Sequence, residues 1–143
     1  MNIAILAPAS VLVLWSLIML AWMAGTRFPA MAKSGADLAK APPGGRGSDL
    51  EGVIPDKVNW KSHNYTHLME QPTLFYATVV ILALAGAGHG LNLYLAWAYA
   101  IIRIIHSIWQ ATVNLLNVRF LLFIASTICL LIMAINALWA TLF

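Results

Sequence analysis

Six side chains capable of chemistry stand where a very apolar chain has least room for them: His63, His67, Glu70, Arg103, His106 and Arg119. An ionisable group inside a bilayer is expensive, so it marks a partner or a site. Arginine offers five donors in a fixed fork and does not give up its proton. It therefore cannot act as a base. It can bind a carboxylate bidentately. It can also lower the pKa of a thiol by pairing with the thiolate in a partly desolvated cleft.

Spacing groups these residues. His63, His67, Glu70 and Leu74 recur at i, i+4, i+7 and i+11, one face of a helix. Asn64 and Gln71 border that face. Arg103, His106, Gln110, Asn114 and Asn117 share a face of a later helix, with Ser107 beside it. Two polar stripes on apolar helices must face each other or a neighbouring subunit, and not lipid. Glu70 and Arg103 are expected to pair, within one subunit or across two, as the floor of a polar cleft, since pairing removes much of the cost of burial. His67, His106 and Gln110 then lie between floor and mouth, with Arg119 on the rim. A structural ion pair, packed histidines and a head-group anchor at Arg119 account for the same residues without chemistry. The His63-x3-His67-x2-Glu70 spacing, with His106 as a fourth ligand, permits a metal but falls short of a signature. A haem between His67 and His106 is weaker still. No metal site is expected.

The elements that must hold these groups follow from composition. The chain has 143 residues, 62% of them hydrophobic and 9% charged. A soluble domain carries about 25% charged residues, so the class is integral membrane. One domain, 1–143, is expected, all-α, with helices at about 3–23, 62–87, 91–116 and 120–143. The first run has no Lys or Arg before it and is too long for a signal-peptide core, so it is read as a retained helix. Residues 26–61 form the one long hydrophilic loop, with a tip at Ala41–Ser48 that cannot hold a helix. Pro72 lies inside the second apolar segment and predicts a kink. Gly86–Gly90 and Asn117–Arg119 read as tight turns. Asn136 predicts an interhelical hydrogen bond. Short second and third connections make an up-down-up-down four-helix bundle.

Charge placement orients the bundle. The net charge is +3. Arg27, Lys33, Lys40, Arg46, Lys57 and Lys61 lie in the first loop, and Arg119 in the third connection. The positive-inside rule makes these cytoplasmic and puts both termini on the opposite side. No basic run carries interleaved aromatics, so nucleic acid is not an expected partner. The single cysteine, Cys129, sits in an apolar run and reads as a small inert hydrophobe.

At these residues the sequence resembles the MAPEG family, the membrane-associated proteins of eicosanoid and glutathione metabolism. Asn64-Tyr-Thr-His-Leu-Met-Glu70-Gln-Pro72-Thr-Leu-Phe-Tyr76 is similar to the family's second-helix pattern. Arg103-Ile-Ile-His106-Ser107, followed by Arg119-Phe120, looks like its third-helix arginine and the arginine opening its fourth helix. The resemblance implies a homotrimer with sites between subunits, open to the cytoplasm. It implies glutathione as co-substrate, held by His63, Asn64, His67, Glu70, Arg103, His106 and Gln110, with Arg119 as the catalytic residue that stabilises the thiolate. The activity implied is a transferase or peroxidase acting on apolar electrophiles or hydroperoxides in the bilayer. Three positions depart from the eukaryotic pattern: His63 for an arginine, His67 for an asparagine and Gln110 for a tyrosine. The short connections resemble bacterial members, which implies a bacterial inner membrane. A non-catalytic member binding a lipid or a partner protein in the same cleft is the alternative.

Overall fold

The computed structural model describes residues 2–143. Five α-helices make four spans: α1 (Leu6–Ser34), α2 (Asp56–Met69) running into α3 (Gln71–Leu84), α4 (Leu91–Thr112) and α5 (Leu116–Leu142). Each span is long and apolar enough to cross a membrane. No strand occurs among the described residues. The register of the contacts gives the topology. Asn2 N reaches Ala83 O at 3.1 Å, and Arg27 Nη1 reaches Ser62 Oγ at 2.9 Å, so α1 runs antiparallel to the α2–α3 span. Lys61 Nζ reaches Ala111 O, and Arg103 reaches His67, so that span runs antiparallel to α4. Asn136 Nδ2 donates to Asn92 Oδ1 at 2.7 Å and fixes α5 against α4 at the end far from the loop. The result is the up-down-up-down bundle.

Helix ends differ from the sequence expectation. α1 continues to Ser34 instead of stopping near Met23, although Gly25 and Pro29 disfavour a helix there; Arg27 bonds Ser62 of the next span, and Met31 is buried. Pro29 is accommodated inside it, and Gly35 ends it at φ +74°. α2 starts at Asp56, well before Ser62. The loop between them is therefore 35–55, with short 3-10 turns at Leu38–Lys40 and Gly47–Leu50. Arg27 donates to Gly47 O and so ties that loop to α1. At the other end of the chain α4 stops at Thr112, not Leu116. Asn114 takes the left-handed conformation at φ +56° and ends the helix. Asn117–Arg119 consequently lies in the first turn of α5, not in a turn between helices, and Asn117 is exposed.

Pro72 does more than kink its span. It cannot donate to Leu68 O, and the helix breaks at Glu70 (φ −85°, ψ −99°). Polar side chains pin the break from two sides. Tyr99 Oη donates to Gln71 Oε1 at 3.2 Å, and Gln71 Nε2 donates to Thr127 Oγ1 at 2.9 Å. Phe75, fully buried, stacks on Tyr99 with centroids 4.2 Å apart and planes 20° from parallel. These contacts bind α3, α4 and α5 just beyond the break. Leu12, Met19, Leu68, Val79, Leu82, Ala96 and Met133 fill the rest of the core.

Two stability predictions follow from the end of the bundle opposite the loop. Asn136→Ala leaves the buried Asn92 without its donor. We expect a loss of about 1 kcal/mol, read as a lower thermal midpoint in detergent. Gly88→Ala drives a methyl to 2.7 Å from Ile5 Cγ2 and 3.1 Å from Asn2 O. Ile5 is fully buried and cannot yield. An overpacking cost of about 1–3 kcal/mol is expected in the same assay.

Candidate functional site

Proline placement, helix register and one unusual turn combine to build a small cavity. It has a volume of about 160 Å³ and is lined by His67, His106, Leu116, Arg119, Phe120 and Phe123. α2 supplies His67 from its last turn, just before the break. α4 supplies His106 and, one turn deeper, Arg103. α5 supplies Arg119 and the apolar wall. Phe123 follows Arg119 by one turn, so both face the same side of α5.

Arg103 lies beneath this cavity and is 1% exposed. Its Nη2 donates to His67 Nδ1 at 3.0 Å and to His67 O at 3.1 Å. That carbonyl belongs to the turn the break disrupts, so the guanidinium supplies a donor there. Arginine has no acceptor, so His67 Nδ1 must accept, which leaves the ring proton on Nε2. The His67 and His106 rings lie 4.9 Å apart and tilted by 52°, and Phe123 stands edge-on to His67 at 5.7 Å. Arg103 Nε and Nη1, His106 Nε2, Gln110 Oε1 and both amide atoms of Asn64 are buried and have no partner among the described residues. Buried polar atoms in a finished structure are nearly always satisfied. Unmet donors and acceptors on this side of α2 and α4 therefore ask for water, a ligand or another polypeptide.

Arg119 is half-buried at the cavity wall. Its Nη1 donates to Asn114 Oδ1 at 2.6 Å. No carboxylate among the described residues lies within ion-pair distance of it. Its charge thus faces the cavity without a counter-ion among the described residues.

The structure brings His67, Arg103, His106 and Arg119 together. Asn64 and Gln110 are buried one turn nearer the loop, at 1% and 4% exposure. His63 and Glu70 are not part of this cluster. His63 is exposed and bonds Glu51 at 2.9 Å. Glu70 is exposed and forms no ion pair with Arg103 within the chain. His63 lies on the unbroken α2 with His67, a turn nearer the loop, and its imidazole is taken by Glu51. For Glu70 the physical reason is the break. The face shared by His63, His67 and Glu70 presupposes an unbroken helix, and the chain changes direction at Glu70 itself. Arg103 takes the His67 carbonyl and imidazole instead. Among the described residues no group of three His, Cys, Asp or Glu is placed to hold a metal ion. Cys129 is half-buried on α5.

Sequence reasoning missed the apolar wall and the Asn114 contact. Leu116, Arg119 and Phe123 recur at helical spacing, a signal that α5 begins before Arg119. Asn114 carried no comparable signal, because its role depends on a left-handed backbone.

The MAPEG family model matches residues 5–139, nearly the whole chain. No curated protein and no solved structure matched it.

Proposed function

The chain belongs to the MAPEG family, an integral multi-pass membrane protein family of glutathione and eicosanoid metabolism, and from that premise we propose a glutathione-dependent transferase or peroxidase. The single observation that carries this reading is Arg119. Its guanidinium, with no carboxylate partner among the described residues, lies on the wall of a cavity otherwise built from imidazole and apolar side chains. Such a group favours an anion where water is scarce. In this reading the anion is the thiolate of glutathione. The thiol proton leaves to water at the open mouth. The thiolate attacks an apolar electrophile, forming a C–S bond as the leaving group departs. With a hydroperoxide it attacks oxygen instead. That step breaks the O–O bond, releases the alcohol after its oxygen takes a proton from water, and leaves a sulfenic acid, which a second glutathione converts to the disulfide and water. Arg103, His67, His106, Asn64 and Gln110 hold the peptide's carboxylates and amides.

A cavity of about 160 Å³ is smaller than the roughly 300 Å³ at which small-molecule pockets begin. Glutathione therefore needs a second wall. A neighbouring copy supplies it in this proposal, consistent with a homotrimer. Glu70 and His63 then act at that subunit boundary, which gives the exposed Glu70 carboxylate a place away from lipid. The loop 35–55 and Arg119 are on the cytoplasmic side of a bacterial inner membrane, and both termini on the other.

The test is turnover. Purified protein in detergent, given glutathione with an apolar aryl halide or a lipid hydroperoxide, should form the thioether or the glutathione disulfide faster than the protein-free control. Failure with both substrate classes overturns the enzyme reading. Retention of glutathione or lipid without turnover would instead support a non-catalytic binding protein.

A further inference from the structure

Asn114 is the only non-glycine residue at positive φ among the described residues. The bland account is a helix cap, because asparagine tolerates the left-handed region and commonly ends helices. Two observations go beyond that account. The turn is already clasped without the Asn114 side chain. Val113 N and Asn114 N reach Trp109 O at 3.0 and 2.8 Å, and Trp109 Nε1 reaches Leu115 O at 3.3 Å. The carboxamide itself is spent elsewhere, at 2.6 Å from Arg119 Nη1. Glycine would hold the same backbone at lower cost, but it could not reach the guanidinium.

We propose that Asn114 is a positioning residue that holds the Arg119 guanidinium at the cavity wall through a neutral acceptor. The inference rests on the thiolate reading of Arg119 given above. Neutrality is the chemical point. A carboxylate at this place would fix the guanidinium equally well, but it would compensate the charge meant for the ligand. An amide oxygen orients the fork and leaves its full charge available. Without any acceptor, a long arginine near the membrane edge extends toward water.

Two substitutions separate positioning from capping. Asn114→Gly keeps the left-handed turn and deletes the amide. Asn114→Asp keeps both turn and acceptor but adds a charge. Two measurements are made on the full-length protein in detergent. One is the thiolate absorbance of bound glutathione against pH. The other is the rate at which phenylglyoxal modifies Arg119 in the absence of glutathione, followed by mass spectrometry. Asn114→Gly is expected to speed modification several-fold and to cut the bound thiolate at neutral pH about tenfold, the equivalent of one pKa unit. Asn114→Asp is expected to leave Arg119 as protected as in the parent, yet to lose thiolate by a similar factor. A mere cap predicts no change in either measurement for Asn114→Gly, and that result overturns the proposal. If the parent protein forms no thiolate, the glutathione reading fails. The modification rates still decide whether Asn114 holds Arg119.

Discussion

Arg119→Ala is expected to lower kcat/KM for glutathione conjugation by about 100- to 1,000-fold, the scale seen when one donor to a developing anion is removed. The variant loses the charge on the cavity wall and leaves His67, His106 and three apolar side chains around the thiol. None of these carries a permanent positive charge. Arg119→Lys should recover part of the loss and not all of it. Lysine restores a point charge, but its ammonium lacks the planar fork that meets Asn114 and a ligand together. The fold should tolerate both changes, because Arg119 is only half-buried and its one side-chain bond is local. Equal thermal midpoints with a collapsed rate would place the defect in the chemistry. An Arg119→Ala enzyme within a few-fold of the parent would contradict the assignment.

Phe75→Ala should be the most damaging single truncation for the fold. Phe75 is fully buried and stacked on Tyr99. Tyr99 holds Gln71, and Gln71 holds Thr127 across to α5. The ring thus supports the hydrogen bonds that fix the break at Glu70. Phe→Ala in a core costs about 3–5 kcal/mol. In a bilayer the transfer part shrinks, because lipid is as apolar as the interior, and the lost packing remains. A loss of about 3 kcal/mol is expected, read as an earlier unfolding transition in detergent. Phe75→Leu fills most of the space and should lose under half as much. A secondary fall in activity should accompany Phe75→Ala, since His67 sits on the other side of the same break. An unchanged midpoint would show that the break is held by other contacts.

Much of this architecture was legible in the residues because bilayer physics is strict. Four apolar runs of spanning length, short second and third connections and a charge-poor composition allow few alternatives to a four-helix bundle. The burial of Arg103, His106, Ser107 and Gln110 on one face of α4 followed from their spacing. Asn136 found its interhelical partner as expected, in Asn92. Two of the failures share a cause. Periodicity assumes a helix that continues, and it cannot see where backbone geometry ends one. Pro72 announced a disturbance, but its consequence at Glu70 depends on Gln71, Tyr99 and Thr127, which come together only in the fold. The Glu70–Arg103 pairing failed within the chain for that reason. Asn114 shows the same limit. It was legible as one more polar residue on a stripe. Its left-handed backbone, and with it the α4–α5 turn and the start of α5, was not. The long α1 has a different reason: polarity marks the end of an apolar run but not of a helix, and packing of Arg27 and Met31 holds the segment on to Gly35.

Stabilisation of a thiolate by Arg119 can be read by titrating the purified protein with glutathione and following thiolate absorbance near neutral pH, with Arg119→Ala measured beside it. A saturable thiolate signal is expected at a pH where free glutathione is largely protonated, with its loss in Arg119→Ala. Absence of the signal in the parent protein, or its survival in the variant, would mean that Arg119 does not hold a thiolate.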